Sequence, residues 1–424
     1  MMISTTCRLI PGCRRLLVVL LLSSALCSAK KRNFQPRIDH SSQSELFEIA
    51  REIEVLAPSH FPKPSRMLND TAVPIVEPTF GKHRADQDVV MAYAEGYELA
   101  YYMSFIETLR QTGFDGDIVL AIAGYELLAT HVLEYLKSKE NVVVYIHELN
   151  CFEPDGYTPS KRRMKRGSLD IFQMCLLDEV YGWKDEKGQV VEKAKDPRIG
   201  RVVATLRYEW YWIWSLQYNP NSWVMLVDAR DTFFQRNPFE NLPRNQSGLL
   251  YFFGENADAT RLGKSVKNAN WLRRAYGEAT LEALRHKPTI CSGSTMGEQL
   301  AIETYLRALQ NEWDETDIMM TGADQGFHNY LYYSGKLKNS ATISKLVVWE
   351  QGKGIINNLG ALRTKKFVDW GIYDEANVVV YNWDGTVSPV VHQYDRDAHL
   401  HNEFVRNRFR NWTSTFERTL KAGG

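Results

Sequence analysis

Two aspartates and a histidine stand where apolar runs of the chain end. The run "WVMLV" is followed by Asp228 and then Asp231, and the run "VSPVV" is followed by His392. Desolvating a carboxylate is costly, so an ion at the end of a buried run must reach the surface or hold a partner. Carboxylate oxygens and a neutral imidazole are ligands that suit Mn²⁺ or Mg²⁺. The pattern therefore predicts a divalent-metal site built from two distant strand ends.

Further candidates lie on three other predicted elements. Asp324 and Gln325 stand at the start of a helix in "GADQGFHNYL", and Arg207 lies on the long aromatic helix "RVVATLRYEWYWIWSLQY". Ser292 and Gly293 lie in "CSGSTMGEQ", predicted as a strand followed by a strand-to-helix turn. Small residues in such a turn leave room for a ligand to approach. Arg207 is a candidate for binding a phosphate group, because one guanidinium can form two parallel hydrogen bonds to phosphate oxygens.

Structural roles remain open for each of these residues. Asp231 could pair with Arg230 or cap a helix, and His392 could be an ordinary hydrogen-bonding residue. Asp324 could serve as an N-cap, and Arg207 could sit in a surface ion pair of little energetic value. The serines and glycine of "CSGS" could simply form a tight turn.

Apolar strands alternate with amphipathic helices through most of the chain. Strand-like runs include "VVMAYAE", "GDIVLAIA", "NVVVYIHEL", "WVMLV" and "GLLYFFG", and helical stretches such as "YELAYYMSFIETLR" separate several of them. This alternation predicts an α/β fold with an open, mainly parallel sheet and helices on both faces. In such sheets ligands gather outside the carboxyl ends of the strands, where Asp228 would lie.

The composition narrows the class of protein. The 424 residues carry 51 basic and 51 acidic side chains, so the sequence offers no global positive field for nucleic acid. No Gly-x-Ser-x-Gly elbow is present, which disfavours a serine hydrolase, and no Cys/His spacing indicates a zinc module.

The N-terminal region predicts entry into the secretory pathway. Basic residues precede the apolar run "LLVVLLLSSALCSA", so residues 1–29 are predicted to be a signal peptide, with a short signal anchor as the alternative. Residues 30–85 are polar and proline-rich and are predicted to form a stem or an arm. The globular domain is assigned to 86–396 and a C-terminal tail to 397–424. The expected location is the lumen of the endoplasmic reticulum or Golgi, or outside the cell, with membrane association only if the leader is retained.

Cysteines and glycosylation motifs agree with that location. Outside the leader the chain has Cys151, Cys175 and Cys291, which allow one disulfide and one thiol, but the sequence does not pair them. Asn-x-Ser/Thr motifs occur at Asn69, Asn245 and Asn411, and the basic stretch "KRRMKRG" at 161–167 is predicted to be a solvated loop.

The order of these motifs resembles a known family. The opening "VVMAYAEGYELAYYMSFIETLRQTG", the mid-chain "DARDTFFQRNPF", the later "DQGFHN" and the terminal "HQYD" together look like nucleotide-diphospho-sugar glycosyltransferases of the GT-A fold. The "DQGxxN" element is similar to that of the retaining, glycogenin-like branch. "DARDTFFQRNPF" resembles a poorly characterised group with the pattern D-x-RD-x-x-FQ. The resemblance covers roughly residues 89–396 and implies a GT-A-like, Rossmann-type fold.

The resemblance also implies roles for individual residues. Asp228, Asp231 and His392 match the metal ligands, and Asp228 also matches the residue beside the nucleotide sugar. Asp324, with Gln325, matches the residues beside the reacting sugar. Here two residues separate the aspartates where the family has one, so a one-residue bulge is expected to restore the ligand geometry. Further contacts are predicted on the nucleotide-sugar side from Arg207 and Tyr93, and on the acceptor side from Ser292 and Gly293.

The expected function is therefore a Mn²⁺- or Mg²⁺-dependent glycosyltransferase of the hexosyltransferase class. It would move a sugar from a nucleotide diphosphate, with UDP-sugar favoured, to a glycan or glycoprotein. No nucleic-acid partner is expected. Two alternatives remain: a metal-dependent nucleotidyl or phosphoryl transferase using the same carboxylates, and a secreted carbohydrate-binding protein with a degenerate site.

Overall fold

The computed structural model describes residues 73–94, 96–123, 130–147, 150–152, 174–177, 179–194, 200–316, 318, 322–338 and 340–422. The predicted leader, the first part of the predicted stem, Asn69 and the basic stretch at 161–167 lie outside these ranges. Within them, no helix combines the length and the apolar character needed to cross a membrane.

The strands, in chain order, are β1 (Val73–Pro74), β2 (Val89–Tyr93), β3 (Asp117–Ala123), β4 (Val142–His147), β5 (Asn150–Phe152), β6 (Met174–Leu176), β7 (Tyr181–Lys184), β8 (Val190–Ala194), β9 (Trp223–Val227), β10 (Thr232–Phe234), β11 (Leu249–Gly254), β12 (Ile290–Glu298), β13 (Lys345–Trp349), β14 (Ile356–Asn358), β15 (Tyr373–Asp374), β16 (Val379–Val380) and β17 (Val390–His392). The α-helices are α1 (Leu99–Gln111), α2 (Thr130–Lys137), α3 (Val203–Ser215), α4 (Val266–Leu284), α5 (Gln299–Thr316), α6 (Ala323–Tyr333), α7 (Thr364–Asp369), α8 (Ala398–His401) and α9 (Arg408–Ala422).

A seven-stranded sheet forms the centre, in the order β13-β11-β12-β9-β2-β3-β4. Strand β12 runs antiparallel to both neighbours, and the other pairings are parallel. The half β4-β3-β2-β9 has the 3-2-1-4 order of doubly wound folds, which place ligands at the carboxyl ends of their strands. The predicted α/β class with an open, mainly parallel sheet is confirmed.

Both faces of this sheet are covered by helices. Along β2, alternate side chains enter different cores: Met91 belongs to a buried cluster with Leu206 of α3, and Ala92 to a second cluster with Phe105 of α1. Side chains of a strand alternate between faces, so an all-apolar strand such as β2 requires a helix layer on each side. This explains why "VVMAY" shows no polar alternation.

The small sheet β10-β17-β14 lies beside the central sheet and carries part of the candidate site. Strand β10 pairs with β17 so that Thr232 lies opposite His392, and β14 pairs with β17 so that Asn358 lies opposite His392. Two segments far from Asp228 in sequence are thereby brought to the end of β9.

One local prediction is wrong. The sequence "TICSGSTMG" was expected to be a strand followed by a turn, but residues 290–298 form one continuous buried strand. Ser292 and Gly293 therefore lie inside a strand that is paired on both sides. Small residues with weak strand propensity occupy it because large side chains approach from the neighbouring elements, as described below.

The segments at the two ends of the predicted domain pack onto it. Val73 pairs with Gly182, and Phe80 forms a bridge with Val144, so residues 73–85 are attached to the fold. At the other end, a 3₁₀ turn at Tyr394–Arg396 and a π-helical stretch at Asn402–Asn407 join the last helices. In that stretch the Phe404 ring stacks on another buried aromatic ring at 4.1 Å.

The cysteine pairing left open by the sequence is Cys151 with Cys175, which lie opposite each other on β5 and β6. Cys291 is a buried thiol.

Candidate active site

The two aspartates meet through a turn between β9 and β10. Asp228 directly follows β9 and Asp231 directly precedes β10. The hydroxyl of Thr232 donates a hydrogen bond to the carbonyl oxygen of Asp228 at 2.7 Å, which closes the turn. The two residues between these aspartates therefore lie in a turn. The strand bulge expected from the sequence does not join the two aspartates.

Asp228, Asp231 and His392 form a cluster at this point. Each offers one ligand atom, and these atoms all lie within 4.8 Å of one another. His392 Nε2 is 3.8 Å from Asp228 Oδ2 and 3.6 Å from Asp231 Oδ1. Among the residues that the structure describes, this is the one group of three or more His, Cys, Asp or Glu side chains with such geometry.

The chemistry of these donors fits a hard divalent cation. His392 is fully buried, and its Nε2 atom has no hydrogen-bond partner in the described part of the chain. Its Nδ1 atom lies 2.8 Å from Asn358 Oδ1. Buried polar atoms are normally paired, so a ring nitrogen without a partner that faces two carboxylates is compatible with a bound cation. Two carboxylates and one imidazole are a ligand set suited to Mn²⁺ or Mg²⁺.

Arg207 joins the metal-ligand cluster to Asp324. Its guanidinium contacts the Asp228 carboxylate through Nη1 and lies 3.0 Å from Asp324 Oδ2 through Nη2. Burial opposes ionisation of Asp228, but the adjacent Arg207 guanidinium outweighs it and holds the pKa of this carboxyl below its usual range. The Arg207 side chain is only 15 % exposed, so it is not the surface pair considered from the sequence.

Asp324 faces the site from the first turn of α6. The N-cap position belongs to Gly322, and no side-chain hydrogen bond caps this helix. Asp324 instead accepts hydrogen bonds from the hydroxyls of Ser292, at 3.1 Å, and Tyr208, at 3.4 Å. The capping role considered for this aspartate is thus replaced by contacts on the site.

Gln325 is held on the backbone of β12. Its Oε1 accepts a hydrogen bond from the Ser292 amide at 2.7 Å, and its Nε2 donates to the Ile290 carbonyl at 2.8 Å. Both ends of this amide side chain therefore anchor α6 to the strand that carries Ser292 and Gly293.

Gly293 lies against the ligand cluster. Its carbonyl oxygen accepts a hydrogen bond from the Asp228 amide at 3.2 Å. A Cβ atom at this position would lie 2.5 Å from Asp228 Oδ2 and 2.9 Å from His392 Cε1. Glycine is required here because two metal-ligand candidates occupy the space of a side chain.

Tyr93 lies at the carboxyl end of β2, the strand that pairs with β9. It is 7 % exposed, and its amide donates a hydrogen bond to the hydroxyl of Tyr211 at 3.0 Å. Its ring lies 5.6 Å from that of His147, which ends β4. This predicted residue thus lies at the same edge of the sheet as Asp228.

Several residues at the site were not identified from the sequence. Glu255 directly follows β11, and burial raises the pKa of its carboxyl to about 7. Asp395 accepts a hydrogen bond from Arg230 at 2.5 Å and another from Arg396 at 2.8 Å. Burial and the nearby Asp231 raise the pKa of Asp395 to about 6. The rule that singled out Asp228, a carboxylate directly after an apolar strand, would also have found Glu255.

Comparisons with known proteins give little further information. No protein-family model matches the chain, and no curated protein matches it. Solved structures with some similarity include the galactosyltransferase LgtC in complex with donor and acceptor sugar analogs, and an active-site mutant of LgtC. The identities are 10 % and 9 %, each match covers 72 % of this chain and 86 % of the other, and the TM-score is 0.36 in both cases. Similarity of this size assigns no activity.

Proposed function

We propose that the protein is a metal-dependent glycosyltransferase that moves a sugar from a nucleotide diphosphate to a glycan or glycoprotein. One observation carries the proposal: Asp228, Asp231 and His392 converge within 4.8 Å at the carboxyl edge of the sheet, next to the Arg207–Asp324 pair. A cation site alone would suit many reactions. A cation site joined by an arginine to a second, buried carboxylate suits transfer between a diphosphate and a sugar.

The three clustered side chains would hold Mn²⁺ or Mg²⁺. The bound cation would supply Lewis-acid stabilisation for the negative charge that develops on the leaving diphosphate. Arg207 is positioned to add a second positive charge on the same side, because its guanidinium already contacts Asp228. Tyr93, at the end of the neighbouring strand, would lie on the nucleotide side.

Asp324 is assigned to the reacting sugar. It is 4 % exposed, and its neighbours Arg207, Tyr208 and Ser292 hold it by hydrogen bonds. A carboxylate fixed in this way can stabilise positive charge on a sugar or orient an acceptor hydroxyl without reorganising. Ser292 and Gly293 would border the acceptor side, and Gln325 would contribute by holding α6 on β12.

The finer assignments extend this proposal. The proposed donor is a UDP-sugar, and the proposed enzyme class is that of the hexosyltransferases. The apolar leader, the Cys151–Cys175 disulfide and the exposed side chains of Asn245 and Asn411 support a location in the secretory pathway, in the endoplasmic reticulum or Golgi lumen or outside the cell.

A thermal-shift panel tests the donor site. The protein is heated with UDP, GDP, CMP and their sugars, each with and without Mn²⁺, because a ligand that binds only the native state raises Tm. We expect a shift with one nucleotide class that requires Mn²⁺ and is lost in Asp231→Ala. Asp88→Asn is the matched control, since Asp88 precedes β2 at the opposite edge of the sheet and pairs with Arg244.

The outcomes separate the alternatives. No shift with any nucleotide would overturn the glycosyltransferase proposal, and metal-independent binding of glycan alone would favour a carbohydrate-binding protein. Chromatography of the reaction products distinguishes the enzyme classes. Sugar transfer releases the intact nucleoside diphosphate, whereas nucleotidyl or phosphoryl transfer cleaves at phosphorus.

A further inference from the structure

Asn358 and His392 face each other across the parallel pair β14–β17. Both side chains are fully buried. Asn358 Oδ1 lies 2.8 Å from His392 Nδ1, which is a normal hydrogen-bond distance. No motif in the sequence marks Asn358, which ends the three-residue strand "INN".

The orientation of the Asn358 amide is set by the neighbouring strand. Its Nδ2 group donates hydrogen bonds to the carbonyl oxygens of Phe253, at 3.0 Å, and Gly254, at 3.2 Å. Carbonyl oxygens can only accept, so the amide nitrogen must face β11 and Oδ1 must face His392. Ser294 Oγ donates to the same Oδ1 atom at 3.2 Å. The amide therefore cannot flip without losing these bonds.

This orientation selects one of the two neutral tautomers of the imidazole. An amide oxygen cannot donate, so the hydrogen bond requires a proton on His392 Nδ1. A neutral imidazole with its proton on Nδ1 has its lone pair on Nε2, the atom that faces Asp228 and Asp231 without a hydrogen-bond partner in the described residues. The opposite tautomer would place a proton where a metal ligand needs a lone pair.

We propose that Asn358 is a positioning residue that holds His392 as the Nδ1–H tautomer and so prepares Nε2 to bind a divalent cation. This inference rests on the metal-dependent function proposed above. A group that hydrogen-bonds to the other ring nitrogen of a metal-binding histidine fixes the tautomer and the orientation of the ring. Loss of that group typically weakens metal affinity by about 10- to 100-fold.

The chain supplies a matched control one residue away. Asn357 is also fully buried on β14, but its side chain bonds to Gln351, at 2.6 Å, and to Ser388, at 2.9 Å. Asn357→Leu and Asn358→Leu therefore remove the same chemical group from the same short strand. Only the second change removes the contact with His392.

Isothermal titration calorimetry with Mn²⁺ alone tests the inference on the full chain. We expect Asn358→Leu to weaken binding by about 10- to 100-fold and Asn357→Leu to leave it unchanged. In a His392→Ala background, Asn358→Leu should cause no further loss, because residues that act through one another are not additive. Asn358→Ala replaces the leucine variant if that variant does not fold.

Absorption of bound Co²⁺ gives a readout that a purely structural role would not change. The wild type and Asn357→Leu should show the same visible spectrum, and Asn358→Leu should show a shifted spectrum, because the imidazole ligand is no longer held in one tautomer and orientation. Equal Mn²⁺ affinity and equal Co²⁺ spectra for wild type and Asn358→Leu would overturn the role of Asn358 and leave the proposed function unaffected. Failure of the wild type to bind either metal would overturn the proposed function as well.

Discussion

Gly293 packs so closely against Asp228 that a Cβ atom on the glycine would lie 2.5 Å from the Asp228 Oδ2 atom. This contact joins the antiparallel strand β12 to the turn after β9. The metal-ligand candidates thus depend on the absence of a side chain on a neighbouring strand.

The first prediction is that Gly293→Ala disables metal binding without unfolding the protein. Asp228 is one third exposed, so its carboxylate can rotate away from the added methyl group and leave the cluster. We expect Mn²⁺ affinity to fall at least about tenfold. The free energy of unfolding should fall by only about 1 kcal/mol, the cost of a small shift of the buried His392 ring, whose Cε1 atom would lie 2.9 Å from the added Cβ. Calorimetry and urea unfolding measure the two quantities.

Gly297→Ala should show the opposite pattern. A Cβ atom there would lie 2.7 Å from the Leu249 carbonyl oxygen, which is backbone and cannot rotate away. This change should lower the free energy of unfolding by about 1–3 kcal/mol and leave Mn²⁺ affinity unchanged. Wild-type metal affinity in Gly293→Ala would show that the glycine is not needed by the site.

The second prediction concerns Arg207→Met. Removing this cation leaves Asp228 and Asp324 without their shared partner, so stability should fall by about 3 kcal/mol and sugar transfer by about 100-fold. Mn²⁺ affinity should be equal or higher, because a positive charge beside the site is gone.

Arg307→Met is the control: Arg307 pairs with Glu303 on a partly exposed helix face and should change stability by less than about 1 kcal/mol. If Arg207→Met lost Mn²⁺ affinity together with sugar transfer, the result would contradict the role of Arg207 as a second positive charge beside the cation.

The third prediction is an acid-side loss of stability caused by His328. Burial lowers the pKa of this histidine to about 3, against an ordinary value near 6.5. Between these values the unfolded chain binds a proton that the folded chain does not, so stability falls as the pH falls. His328 should contribute a loss of about 3 kcal/mol between pH 6.5 and pH 4.

Urea unfolding at several pH values tests this expectation. His328→Asn keeps a polar partner for the Tyr305 hydroxyl, which lies 2.7 Å from His328 Nδ1. The variant should show a shallower decline of the free energy of unfolding with falling pH. Exposed His286→Asn is the control. Identical slopes for wild type and His328→Asn would refute the prediction.

The fourth prediction concerns the Cys151–Cys175 disulfide, which joins residues 24 positions apart. Closing a loop of this length restricts the unfolded chain and stabilises the fold by about 3 kcal/mol. We expect the double variant Cys151→Ser, Cys175→Ser to lose that amount in urea unfolding. Wild type in dithiothreitol should behave like the double variant, and equal stability of oxidised and reduced wild type would contradict the prediction.

The sequence by itself determined the class of fold and the chemical character of the site. Apolar runs such as "WVMLV" and amphipathic stretches such as "YELAYYMSFIETLR" follow the periods of strands and helices, and those periods are local properties of the chain. The carboxylates after "WVMLV" and the histidine after "VSPVV" were visible because each directly follows such a run. Their roles as metal ligands stay a prediction.

Only the tertiary structure decided which distant residues meet. The glycines and serines of "CSGSTMG" have weak strand propensity, so the sequence did not predict that the whole segment is a strand. Pairing with β9 and β11 on either side imposes the strand conformation. Asn358 carries no local signal, because its partners Phe253, Gly254 and His392 belong to other strands. The same holds for the choice of Cys175 as the partner of Cys151. Contacts across a sheet depend on strand order and register, which arise from packing of the whole chain and are not written in any short segment.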